Sequence, residues 1–116
     1  MQVTFDYLDE FERGAKALRK KYPSFEKDYD TFLDELEKNP FAGESLGQHT
    51  YKHRMAIVSK GKGKRGGARV VTYNVQQTGT DEVLVTLMTI YDKSDIENVS
   101  DAYLRSLVQQ IESPKK

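Results

Sequence analysis

Two runs decide the fold: Ala68-Arg69-Val70-Val71-Thr72-Tyr73-Asn74-Val75-Gln76 and Val83-Leu84-Val85-Thr86-Leu87-Met88-Thr89-Ile90-Tyr91. Both are rich in β-branched and aromatic residues, and the second is the strongest strand signal in the chain. The link around Gln77-Thr78-Gly79-Thr80-Asp81 is short and turn-like, so the two runs read as a β-hairpin. Working back, Tyr51 to Ser59 is a third strand candidate. A Lys/Gly run joins it to Ala68 and is short enough for an antiparallel pair. Residues 39–50 read as loop from their Pro, Gly and Ser content. Gln2 to Phe5 reads as a short first strand.

Helical patterns flank these strands. Asp6 can cap a helix whose stripe is Leu8, Phe11, Ala15, Leu18 and Tyr22, and Pro23 stops it. Ser24 can cap a second helix, with Phe25, Tyr29, Phe32, Leu33 and Leu36 on one face and Asn39-Pro40 at its end. Ser100 or Asp101 opens a third helix, striped by Tyr103, Leu104, Leu107, Val108 and Ile111. Ser113-Pro114-Lys115-Lys116 is expected as a frayed tail. Helices and strands are segregated along the chain. The expectation is therefore a single α+β domain over residues 1–116. Two N-terminal helices and a C-terminal helix should pack on a mainly antiparallel sheet of about four strands.

Composition narrows the function. The 116 residues include 12 aromatics and no Cys, which excludes disulfide scaffolds, thiolate zinc sites and Cys nucleophiles. Two His leave little for a metal site. The N-terminal residues lack the basic head and apolar centre of a signal peptide, and no apolar run approaches the roughly 20 residues of a membrane span. A soluble cytoplasmic domain is expected. Net charge is zero, but it is unevenly spread: −4 over residues 1–44, +7 over 45–80 and −3 over 81–116. The middle window contains no carboxylate at all. Such an electropositive zone attracts polyanions even when the whole molecule is neutral.

The chemistry available in that zone is that of phosphate. Alternation puts Lys52, Arg54, Ala56 and Val58 on one strand face, and Tyr51, His53, Met55 and Ile57 on the other. Arg69 opens the next strand, while Tyr91 and Lys93 end the last one. In an antiparallel sheet Arg69, Tyr91, Lys93 and the Lys60–Lys64 loop converge at one end. Lys52 and Arg54 join them if the strand is offset or the sheet curled. Arg offers bidentate donors to phosphate oxygens. Arg or Lys can stabilise charge building on a pentacoordinate phosphate, a crowded Lys can serve as base, and Tyr can shuttle a proton or stack on a base. RNA brings its own nucleophile, the 2′-OH. The loop Lys60-Gly61-Lys62-Gly63-Lys64-Arg65-Gly66-Gly67 lacks the Lys-Ser/Thr of a P-loop and reads as a flexible cationic segment for RNA phosphates.

An ordered set of strings carries a resemblance. It consists of Lys20-Lys21-Tyr22-Pro23-Ser24, Asn39-Pro40 with Gly43 and Leu46-Gly47, Tyr51-Lys52-His53-Arg54-Met55-Ala56-Ile57, Gly66-Gly67-Ala68-Arg69-Val70-Val71, and Ile90-Tyr91-Asp92-Lys93. Over about residues 5–110 the chain resembles the RelE/HigB-like toxins of type II toxin–antitoxin systems. The resemblance implies a RelE-like, microbial-RNase-like fold. It also implies ribosome-dependent, metal-independent cleavage of mRNA through 2′-OH attack, inhibiting translation, with no cofactor. By motif, Arg54 and Arg69 would bind and stabilise phosphate, Lys52 or Lys93 would be the base, and Tyr91 would stack or transfer a proton. Lys60, Lys62 and Lys64 would hold RNA. The C-terminal His of some members has no counterpart after residue 53, and Arg65 stands where relatives commonly have Ser. A cognate antitoxin, the ribosome and mRNA are the implied partners, with no membrane. The rival readings are a ParE-like gyrase poison, a non-catalytic RNA-binding module and a structural or adaptor domain.

Overall fold

The computed structural model describes residues 1–113; the tail expected over residues 114–116 lies outside them. The elements in chain order are β1 (Gln2–Tyr7), α1 (Asp9–Lys21), α2 (Phe25–Lys38), β2 (Glu44–Gly47) and β3 (Thr50–Met55). A 3-10 turn (Val58–Lys60), β4 (Ala68–Gln76), β5 (Glu82–Asp92) and α3 (Asp101–Glu112) follow. The class is α+β. One sheet has the order β1-β5-β4-β3-β2, antiparallel throughout except that β1 runs parallel to β5.

The sheet has five strands where about four were expected, because β2 lies inside the segment read as loop. Gly47 pairs with Thr50, which leaves Gln48 and His49 as a two-residue turn. Both have positive φ, 50° and 66°. A tight hairpin turn of this kind requires that backbone, and it is usually signalled by Asn-Gly or Asp-Gly. Gln-His carries no such signal.

The apolar stripes of the three helices are turned to the sheet, with α3 on the face opposite the α1–α2 hairpin. Phe11, Ala15 and Leu18 of α1, with Phe25, Phe32 and Leu36 of α2, are buried against Met55, Val70, Val83, Val85, Leu87 and Ile90. Leu107 and Val108 of α3 cover the opposite face, on Val71, Tyr73, Met88 and Tyr91. The sheet is thus sandwiched between the α1–α2 hairpin and α3. Caps differ from expectation at two of three helices. Leu8, not Asp6, precedes α1, and the Asp6 carboxylate instead accepts the Tyr7 N–H at 2.8 Å. Ser24 stands at the α2 N-cap position without capping it. Its Oγ donates to Asp28 Oδ2 (2.6 Å) and accepts the Ser59 N–H (2.9 Å). Ser100 does cap α3, accepting the Tyr103 N–H at 3.0 Å.

Those Ser24 and Asp28 bonds explain a shorter strand. Asp28 Oδ2 also accepts the Val58 N–H (2.9 Å), so the first turn of α2 draws residues 58–59 out of the sheet. β3 therefore ends at Met55, not Ser59. A bulge at Met88 matters equally. Val71 pairs with Thr89 and Thr72 with Leu87, so Met88 is the extra residue. Before it the odd residues Val83, Val85 and Leu87 face the α1–α2 hairpin; after it Ile90 does, and Tyr91 faces α3.

Helix α1 sits so close to β5 that Gly14 is required. A Cβ there would lie 2.5 Å from the Ile90 carbonyl oxygen and 2.9 Å from Ile90 Cγ2. Ala normally gains about 1 kcal/mol over Gly inside a helix. Here backbone is in the way, so Gly14→Ala is expected to reverse that sign and destabilise by about 1–3 kcal/mol, measured by urea unfolding.

Candidate functional site

The register of three strands builds the site. Arg54 of β3 pairs directly with Arg69 of β4, which pairs with Tyr91 of β5. Paired residues share a face, so the three form one row on the α3 side of the sheet. Lys52 and Val71 form the next row. The early end of β3 brings Arg54 opposite Arg69, supplying the offset that sequence alone left open.

A groove of about 600 Å³ takes in Arg54 and Arg69 of this row, whereas Tyr91 does not line it and borders a separate hollow between α1 and α3. β2 pairs with β3 no further than Lys52, so the outer edge of β3 beyond it is open. The groove wraps round that edge to reach α2. Lys52, Arg54, Lys64, Arg65, Arg69 and Lys93 line it, as do Glu35, Glu44 and Glu97. Two of these cations are paired: Lys52 with Glu44 (3.6 Å) and Lys64 with Glu35 (3.1 Å). Among the described residues Arg54, Arg65, Arg69 and Lys93 have no carboxylate within ion-pair distance.

Arg69 is 6% exposed and organises the cationic loop. Its Nη1 donates to the Lys64 and Ala68 carbonyls (3.1 and 3.2 Å), and its Nη2 to the Arg65 carbonyl (2.8 Å). Of its five N–H groups two remain for a ligand. Burial, and then the Arg54 charge beside it, pull its pKa below the ordinary value. Tyr91 is buried and its hydroxyl has no hydrogen-bond partner, an uncommon state for a buried phenol. Burial raises its pKa; Arg69 opposes that and Glu44 adds to it, so the phenol keeps its proton at neutral pH. Its burial leaves no ring face open for a base to stack on.

Two loop lysines lie elsewhere. The Lys60 side chain is 6% exposed, with Nζ bonded to Asp92 Oδ1 (2.6 Å) and Ser94 Oγ (2.8 Å). It is a buried ion-pair partner and does not reach the groove. Lys62 is exposed but does not line the groove. Sequence reasoning missed Glu35 of α2 and Asn39 just after it, Glu97 and Asn98 before α3, and His53. The first four come from remote segments and carry no local signal. Alternation puts His53 on the strand face opposite Lys52 and Arg54, and there it packs edge-on to Phe32 and bonds Thr72 Oγ1 (3.1 Å). It also borders the groove, and burial lowers its pKa to about 4.

No group of three or more His, Asp or Glu among the described residues is arranged to hold a metal. No described helix is long and apolar enough to cross a membrane. The site's own resources are guanidinium and ammonium donors on one side of a sheet edge, an unpartnered phenol behind them, and acceptors on the rim. Such a set can bind a phosphodiester, stabilise added negative charge on it and exchange protons with it. No known protein-family model matches the chain.

Two buried groups beside the site lose stability on acidification, in successive pH windows. Burial disfavours the Asp92 carboxylate, yet bonds from Lys60, Tyr22 (2.5 Å) and the Ser94 N–H (2.8 Å) outweigh it and hold its pKa well below the usual carboxylate range. Its contribution is complete above about pH 4 and is lost as pH falls below that. His53 loses stability earlier, because the unfolded chain takes up a proton near pH 6.5 that the folded one refuses until about 4. That difference amounts to about 3 kcal/mol. Urea unfolding should therefore show a decline between pH 6.5 and 4 that His53→Gln flattens. Asp92→Asn, which strands the buried Lys60 charge, should cost about 3–5 kcal/mol at pH 7.

Proposed function

We propose that this chain is the toxin of a toxin–antitoxin pair, a ribosome-dependent endoribonuclease that cuts mRNA without a metal, as its resemblance to the RelE/HigB-like toxins implies. The observation that supports this most is the Arg54–Arg69 cross-strand pair, set in a groove with Arg65 and Lys93, four cations that no carboxylate among the described residues neutralises. A plain polyanion-binding face needs only the cations. The resemblance would give Tyr91 a proton-transfer role, but its hydroxyl is enclosed behind Arg69 and does not line the groove.

In this reading the scissile phosphate lies over Arg54 and Arg69. The RNA 2′-oxygen attacks phosphorus as a lysine amine takes its proton. Lys93 is the assigned base, since its amine has no partner among the described residues, whereas Lys52 is held by Asn98 (3.1 Å) and Glu44. The new O2′–P bond puts charge on the equatorial oxygens, where the two guanidinium groups meet it. The P–O5′ bond then breaks, and the leaving oxygen takes a proton from solvent, because the Tyr91 hydroxyl is enclosed outside the groove. The products are a 2′,3′-cyclic phosphate and a 5′-hydroxyl. Lys64 and Arg65 extend the contact along the strand. In this reading the chain acts in the cytoplasm on translating ribosomes. An acidic antitoxin would silence it by covering the groove.

Primer extension on mRNA after brief induction tests the proposal. Cuts inside translated codons are expected. Arg54→Ala should reduce cutting by about a hundredfold or more with an unchanged melting temperature, because Arg54 is exposed and supports no loop. Uncut mRNA together with gyrase-linked DNA damage, or RNA retained on the protein without cleavage, would overturn it.

A further inference from the structure

We propose that the β5–α3 connection is a strap that occupies the groove and competes with the incoming polyanion. The inference rests on the groove being an anion site, and not on its being a nuclease.

The strap is fixed at both ends and loose between them. At its start the Ser94 N–H bonds Asp92 Oδ1 (2.8 Å), and the Asp95 and Ile96 N–H groups bond the Asp92 carbonyl (3.0 and 3.2 Å). At its end Ser100 caps α3. Between these anchors Glu97 and Asn98 are exposed, and neither their backbone N–H groups nor that of Val99 has an acceptor among the described residues. Among the described residues one hydrogen bond ties Glu97 and Asn98 to the rest of the protein, from Lys52 Nζ to Asn98 Oδ1 (3.1 Å), while Val99 beside them is half-buried against the α3 core. Both Glu97 and Asn98 line the groove. The strap thus sets a carboxylate in a space otherwise dominated by cations and engages one of those cations through a neutral acceptor. A phosphodiester entering the groove needs the same donors. Binding then exchanges Lys52 from Asn98 to phosphate and swings Glu97 outward. Little backbone structure is lost, because the middle stretch holds no backbone hydrogen bond to break.

Simple charge removal would mimic the effect at Glu97, so the deciding variant is Asn98→Ala, which leaves net charge unchanged. The probe is fluorescently labelled inorganic polyphosphate, followed by anisotropy and repeated with single-stranded RNA. Asn98→Ala should bind polyphosphate about threefold to tenfold more tightly than the unaltered chain, the range expected for one lost competing hydrogen bond. Glu97→Gln should tighten it as well. Polyphosphate should also speed hydrogen exchange at residues 97–99. Binding by Asn98→Ala that is equal or weaker, or polyphosphate binding by neither protein, overturns the strap. The two proposals fail separately: tighter polyphosphate binding with uncut mRNA keeps the strap and removes the nuclease, while cut mRNA with no tightening does the reverse.

Discussion

A single buried carboxylate ties together most of what surrounds the site. Asp92, at the end of β5, receives hydrogen bonds from Tyr22 at the end of α1, from Lys60 in the 3-10 turn and from the Ser94 N–H that begins the strap. Lys21 stands 3.7 Å away. Three segments far apart in sequence thus meet at one residue. Burial alone would make this charge costly, and the lysine and phenol that face it are what offset the cost. The same network uses up Lys60. A residue that reads as part of a flexible cationic loop is instead the loop's fixed root. The loop's other end is held by Arg69, whose guanidinium gathers the Lys64, Arg65 and Ala68 carbonyls.

The arrangement sets support against function within a small space. Arg54 and Arg69 are cross-strand partners, and like charges directly opposite one another disfavour the sheet. The repulsion survives because Arg69 is anchored to backbone oxygens while Arg54 stays in solvent. Acids sit on the rim: Glu44 and Glu35 pair with Lys52 and Lys64, while the central guanidinium groups stay free. Of these free cations Arg69 alone is held in a fixed direction, by its bonds to the Lys64, Arg65 and Ala68 carbonyls.

Much of the fold was legible in the chain. The stripes of α1, α2 and α3 follow from 3.6-residue periodicity, and the β4–β5 hairpin from two strand-like runs around a short link. The acid-free window located most of the groove-lining cations without any tertiary knowledge. β2 stayed hidden because its turn puts Gln48 and His49 in left-handed backbone, a conformation usually announced by Gly or Asn. The end of β3 was misread because Ala56, Ile57 and Val58 suit a strand, while the bonds that divert them come from Ser24 and Asp28, about thirty residues away.

What the amino-acid order determined by itself is therefore what near neighbours encode: which face of each helix is apolar, where strands and turns are dense, and where charge of one sign accumulates. Tertiary structure decided which of those charges meet. The Met88 bulge sets the phase that turns Tyr91 toward Arg69, the short β3 sets Arg54 opposite Arg69, and Asp92 removes Lys60 from the set. Each of these depends on strand register and on hydrogen bonds between remote segments. A one-residue change in pairing sends a side chain to the other face of a sheet, and no local pattern records it.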